Sequence, residues 1–201
     1  MCTVAMYETF GTLLFTYCII VSTANPLAAA FSLFAMILIF GSVTGGHFNP
    51  AVSLGVLIWQ VFKKPSEGRE RDPCKKLILC FLVILGQCLG AVLGAVLAGY
   101  VLKVNGNVPK EYVPVLAPEN TQATSALNGF TEDFQTFFSQ ALCTFIFVLV
   151  ILMLKGKKTG HTKDAILLAF SVAVTLWALI KLDYHTGACF NPAVAIGQTY
   201  F

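Results

Sequence analysis

Five residues recur letter for letter. Phe48-Asn49-Pro50-Ala51-Val52 returns as Phe190-Asn191-Pro192-Ala193-Val194, each copy downstream of glycine and flanked by long apolar runs. An Asn followed by Pro at a break in apolar sequence is a helix start. The Asn oxygen caps free backbone N–H groups, and Pro fits the first turn, where the N–H it lacks would have no partner. The Asn amide also keeps donors separate from that acceptor, so capping and contact with a passing molecule are compatible. A second polar pattern, Glu8-x-x-x-Thr12, is echoed by Gln140-x-x-x-Thr144. An ionisable residue such as Glu8 inside an apolar run is a functional or structural site by default. The chemistry on offer is hydrogen bonding, not bond breaking: no phosphate cradle, zinc motif or catalytic triad is present, so an enzyme reading has no residue to rest on.

The elements that position these residues follow from composition. Charged residues make up 11% of the chain and hydrophobic ones 57%, against about 25% charged in soluble domains. The chain therefore reads as a polytopic membrane protein. Five apolar runs, 4–22, 26–43, 77–102, 134–154 and 165–182, are long enough to cross a hydrocarbon core of about 30 Å. Two more, 50–62 and 192–201, start at the prolines of the repeated pentapeptide and are too short to cross; they are half-spans. Residues 4–22 follow Met1 without a basic leader or a clear cleavage site, which predicts a retained span. The seven cysteines lie mostly within apolar runs and show no metal-ligand spacing, so they read as small buried hydrophobes.

The order is span, span, half-span, span, then span, span, half-span. Three spans per half is an odd number, so the halves, about 1–103 and about 131–201 of a single domain 1–201, must insert with opposite polarity. Paired interrupted helices in such inverted repeats point to a site near the bilayer midplane. A span matching 77–102 should follow the second half-span; its absence predicts a truncated or incomplete chain, or a partner that supplies the helix. Ten of the thirteen Lys and Arg lie between the second and third spans (Lys63, Lys64, Arg69, Arg71, Lys75, Lys76) and between the fourth and fifth (Lys155, Lys157, Lys158, Lys163). These connections read as solvated loops, and the positive-inside rule puts them, with the amino terminus, on the cytoplasmic side. Gly86, Gly90, Gly94 and Ala98 recur every four residues, a stripe that lets another helix approach closely.

Gly45-Gly46-His47-Phe48-Asn49-Pro50-Ala51-Val52-Ser53-Leu54-Gly55 closely resembles the first signature loop of the aquaporin, or major intrinsic protein, family. Gly187-Ala188-Cys189-Phe190-Asn191-Pro192-Ala193 resembles the second, and Gln87-x-x-Gly90-Ala91 and Glu8-x-x-x-Thr12 also fit. The resemblance implies an all-α integral membrane fold: a right-handed bundle with inverted repeats, five full spans and two re-entrant half-helices, the sixth span absent. It also implies a homotetramer with one pore per subunit. Asn49, Pro50, Ala51, Asn191, Pro192 and Ala193 would meet at the midplane, with both asparagines facing the pore. Each helix N-terminus carries about half a positive charge, so two facing ends oppose cations, hydronium included, as is general for aquaporin-type pores. The traffic so implied is water and small neutral solutes across a lipid bilayer, with no cofactor, metal or nucleic acid.

The departures bear on selectivity. Many family members place an arginine after the second Asn-Pro-Ala; here that residue is Val194. Counting back from Asn49 assigns Ala29, and counting from Asp183-Tyr184 assigns Ala178 and, with His185 as a one-residue insertion, Ala188 to the remaining filter positions, which with Val194 predicts a wide, apolar constriction. Phe31, Trp177 and Phe190 stand within two residues of those positions, and a one-residue slip would bring bulk back. Gln140 replaces a glutamate that in the family organises the second loop. Glu8 is then the better loop-supporting carboxylate, and His47 is expected to support the first loop beside the pore. The expected function is a passive channel of broad solute range. The alternative is a structural or junctional membrane protein that keeps the fold and conducts little.

Overall fold

A computed structural model describes residues 1–62, 72–104, 126–156, 159–160 and 162–199. Lys63, Lys64, Arg69, Arg71, Lys157 and Lys158 of the basic connections lie outside these residues. The described helices are α1 (Cys2–Val21), α2 (Pro26–Thr44), α3 (Pro50–Phe62), α4 (Pro73–Val104), α5 (Ala126–Lys155), α6 (Ala165–Leu182) and α7 (Pro192–Thr199), with a 3-10 turn at Tyr184–Thr186. All except α3 and α7 are long and apolar enough to cross a membrane. Their outward faces expose Phe10, Phe81, Phe137, Phe145 and Ile166, apolar surface on a scale that marks contact with lipid. This is an integral multi-pass membrane protein.

Helix starts follow local chemistry. Asn25 caps α2, its Oδ1 accepting from Leu27 N at 3.0 Å and Ala28 N at 3.2 Å, with Pro26 in the first turn. Asp164 caps α6 by accepting from Leu167 N at 2.8 Å. Helix α4 begins four residues before its apolar run because Asp72 accepts from Lys75 N at 3.0 Å and Pro73 fits the first turn. Helix α5 likewise outruns the apolar stretch 134–154.

The glycine stripe on α4 lies along α1. A methyl group at Gly90 would overlap the carbonyl oxygen of Thr9, and one at Gly94 that of Leu13, the close backbone approach that small residues permit. Helix α4 also packs on α7, where Gly197 lies against Ala91. In the repeat, α5, α6 and α7 are the counterparts of α1, α2 and α3. Where α4 fills the space against α1 and α7, the matching faces of α5 and α3 border an open groove of about 670 Å³, lined by Leu54, Ile58, Phe137, Phe145 and Val148. The core, including Phe15, Leu33, Phe48, Phe147, Leu176 and Phe190, gathers around the starts of the two half-helices.

Candidate functional site

Three left-handed residues bend the chain from α2 back into α3: Gly45 at φ 92°, Gly46 at φ 63° and Phe48 at φ 47°. Phe48 is fully buried, and its ring occupies the space that a side chain at Gly11 would fill. A turn so bent leaves backbone N–H groups inside the bundle without helical partners, and such groups must be satisfied. Glu8, fully buried on α1, does this: its carboxylate accepts from His47 N at 3.0 Å and Phe48 N at 2.7 Å. Gln87 of α4, also fully buried, donates through Nε2 to Glu8 Oε2 at 2.8 Å and to Ser53 Oγ at 3.0 Å. Ser53 Oγ also lies 3.1 Å from His47 Nδ1 and 3.4 Å from Gln87 Oε1, so it joins the histidine to the same cluster. One network thus ties α1, the loop, α3 and α4 together.

The two pentapeptides meet through a reciprocal pair of bonds. Asn49 Nδ2 donates to the Phe190 carbonyl at 2.9 Å, and Asn191 Nδ2 donates to the Phe48 carbonyl at 2.7 Å. Each side-chain oxygen meanwhile caps its own helix: Asn49 Oδ1 accepts from Ala51 N at 2.8 Å, and Asn191 Oδ1 from Ala193 N at 3.1 Å and Val194 N at 3.4 Å. The N-termini of α3 and α7 are therefore locked head to head. Capping uses the acceptor and the cross-link uses one of the two amide hydrogens, which leaves one donor per asparagine.

Both asparagines border a cavity of about 80 Å³. Its wall includes Ala29, Ala188 and Val194, three of the four residues assigned to the filter from sequence. Ala178 is not among them. It lies on the exposed side of α6, and Leu176 and Ile180, one helical turn apart, line the cavity instead. The count back from Asp183 took no account of which side of the turning helix faces inward. Of the bulky neighbours, Phe190 joins the wall, while Phe31 and Trp177 are exposed. Pro50 and Ala193 are buried; Pro192 is exposed, and Ala51 borders the groove between α3 and α5.

A wider cavity of about 560 Å³ opens at the end of the bundle that carries Lys76, Lys155 and Lys163. His47 borders both cavities. Lys155, read from sequence as a solvated loop charge, is instead half-buried, and its Nζ donates to the Gly45 carbonyl oxygen. Nothing in its sequence context, a lysine closing an apolar run, signals that bond.

The second loop is held by different chemistry. Gln140 stands where α1 has Glu8, but it donates: Nε2 reaches the Thr186 carbonyl at 2.7 Å. The buried carboxylate here is Asp183, which the sequence reading used only as a counting anchor. It accepts from Ser139 Oγ at 2.6 Å and Thr186 Oγ1 at 2.7 Å. An Asp closing an apolar span with Thr three residues on was the available signal.

A bundle of membrane-spanning helices whose two half-helices meet head to head at a buried, asparagine-lined cavity defines a multi-pass membrane protein built on an inverted repeat. The family model "Major intrinsic protein" matches residues 2–201. The chain belongs to that family, whose members are channels and not enzymes. It is 30% identical over 169 residues to "Glycerol uptake facilitator protein-like 6" of Lactiplantibacillus plantarum, covering 81% of this chain and 63% of that protein. It is 30% identical over 177 residues to "Aquaporin FA-CHIP" of Pelophylax lessonae, covering 86% and 54%. Among solved structures, the aquaglyceroporin from Plasmodium falciparum aligns with a TM-score of 0.70 at 20% identity, over 98% of this chain and 78% of that one. That likeness supports the aquaporin fold. The chain spans between about half and just under two thirds of the length of these curated relatives.

Proposed function

We propose that this chain forms a passive, bidirectional channel for water and small uncharged solutes, with Asn49 and Asn191 at its narrow midpoint. The observation that carries the proposal is the reciprocal pair of Asn–Phe bonds, which aims two helix N-termini at one small cavity. Two partial positive charges in a water-poor site raise the energy of any cation there, and the remaining amide hydrogens orient a passing water by donating to it. A neutral solute meets no such penalty. Pro50, Ala51, Pro192 and Ala193 shape the two helix starts, while Glu8 and His47 support the first loop and Gln140 the second. The constriction is assigned to Ala29, Ala188 and Val194, with Leu176 and Ile180 in the part expected of Ala178. With Val194 where many relatives have arginine, the wall lacks a fixed charge and a set of donors, which favours a broad range that includes glycerol or urea. The basic end is assigned to the cytoplasm, and the exposed apolar faces suit a homotetramer in the bilayer.

A second reading draws on the wall itself. Phe15, Phe147, Leu176 and Phe190 make the cavity small and apolar, which favours a structural membrane protein that conducts little. Stopped-flow light scattering of proteoliposomes separates the two readings. Shrinkage under an osmotic step faster than in protein-free vesicles is expected of a channel, and equal rates would end that reading.

A further inference from the structure

We propose that Asp183 is a positioning residue that sets the cavity wall at Ala188 by way of Thr186. The two loops pose the same problem with different means. Two residues before Phe48 stands Gly46, at φ 63°; two residues before Phe190 stands Ala188, at φ 47°. The left-handed region suits glycine and strains alanine, so Ala188 needs an outside restraint at a position where Gly46 does not. Glu8 restrains the first loop by accepting from its backbone amides. Gln140, in the equivalent place, has turned its amide donor to a carbonyl, and that donor cannot hold an N–H group.

The restraint on Ala188 comes along another path. Ser139 on α5 donates to Asp183 Oδ1 at 2.6 Å; Asp183 Oδ2 accepts the Thr186 hydroxyl at 2.7 Å; Thr186 Oγ1 accepts from Ala188 N at 3.3 Å. A threonine hydroxyl has a single hydrogen. Of the two acceptors in its reach, Asp183 Oδ2 at 2.7 Å is nearer than the Asp183 carbonyl oxygen at 3.1 Å, and the lone pairs left over face Ala188 N–H. Asp183 is 4% exposed, so water offers little substitute for a lost partner. Ala188 and its neighbour Cys189 both line the cavity, so displacement of this segment changes the wall itself. The role differs from helix capping, since Asp183 closes α6 through its backbone N–H to Leu179, a bond that side-chain changes leave in place.

The inference rests on the channel reading for its flux measurement and stands apart from it in a second one. Thr186→Val keeps the shape and removes the hydroxyl, Thr186→Ser restores it, and Ser139→Ala loosens Asp183 from α5. In reconstituted protein, peptide mass spectrometry follows labelling of Cys189 by a small methanethiosulfonate, with buried Cys143 on α5 as internal reference. Thr186→Val is expected to speed labelling of Cys189 by about three- to tenfold, the span of one lost neutral hydrogen bond, with Cys143 unchanged. It should shift the glycerol-to-water permeability ratio as well, and Thr186→Ser should match the parent in both measurements. Unchanged labelling of Cys189 in Thr186→Val, or equal acceleration at Cys189 and Cys143, would overturn the positioning role. Parent vesicles that pass no water would end the channel reading alone, since the labelling still decides this one.

Discussion

Glu8 offers the sharpest test of how the first half-helix is held. Its carboxylate accepts from His47 N, Phe48 N and Gln87 Nε2 at 3.0, 2.7 and 2.8 Å, fully out of contact with solvent. Glu8→Ala takes the acceptor from all three donors. A buried donor left without a partner costs about 1–3 kcal/mol. Gln87 keeps its bond to Ser53 and so loses less, and the half-buried His47 borders the wide cavity, where water can reach it. The net loss is therefore near the low end of the sum, about 3–5 kcal/mol. Glu8→Gln is milder. Its oxygen can replace Oε2 and serve Phe48 and Gln87, which leaves His47 N facing an amide N–H, a loss of about 1.5–3 kcal/mol. At roughly 2–4 °C per kcal/mol for a chain of this size, thermal unfolding in detergent should fall by roughly 10 °C for the alanine variant and by about half as much for glutamine. Size-exclusion chromatography after heating at graded temperatures reads both. Variants that both unfold within about 2 °C of the parent would refute the reasoning, and so would a glutamine variant weaker than the alanine one.

Three further outcomes are expected. Gly90→Ala should force α4 off α1, because the new methyl has a backbone carbonyl and not a movable side chain in its way; loss of folded yield is expected, and normal yield with unchanged melting would argue against this packing. Val194→Arg places a fixed charge and several donors in the cavity wall, so glycerol and urea uptake should fall more than water flux; unchanged uptake ratios in liposome assays would remove Val194 from the constriction. Asn191→Asp keeps the oxygen that caps α7 but loses the Nδ2 bond to Phe48 and adds negative charge between the two helix N-termini. A new cation current in planar bilayers is expected, and its absence in a properly inserted variant would count against the electrostatic barrier.

What could be read from sequence was whatever rests on local rules. Helices α3 and α6 fall where the apolar runs put them, because Pro50 and the Asp164 cap are decided by the chain next to them. The glycine stripe was legible for the same reason: a four-residue period is a property of one helix. Its partner, α1, was not, since contact across the bundle leaves no local mark. The loop supports divide along this line. Glu8 stood out as an acid inside an apolar span, yet its bonds to residues 47 and 48 join points about forty positions apart. Gln140 could be placed but not oriented, because an amide carries donor and acceptor at one end and only the Thr186 carbonyl across from it decides which is used. Ala178 failed for a geometric reason: a count along the sequence fixes distance from an anchor, and on a helix an error of one or two residues rotates the side chain out of the wall.

The two halves share a backbone plan and differ in how firmly each loop is held, and the difference has a functional direction. The first loop hangs on a carboxylate that takes two backbone amides directly, tied in turn to α4 and α3. Hydrogen bonds of this charge-assisted kind are the stronger ones. Its counterpart depends on one neutral donor to a carbonyl and on a relay through the Thr186 side chain. A displacement in a relay accumulates over its links, so the second loop is the more compliant. That loop also carries Ala188 and leads into Val194, the residues assigned to solute discrimination, whereas the head-to-head asparagines are pinned from both sides. Under the channel reading, substitutions around Asp183 should therefore alter which neutral solutes pass before they alter exclusion of ions. The opposite order, with cation leak appearing while the glycerol-to-water ratio holds, would mean that the firmness of the junction depends on the second loop more than on Glu8.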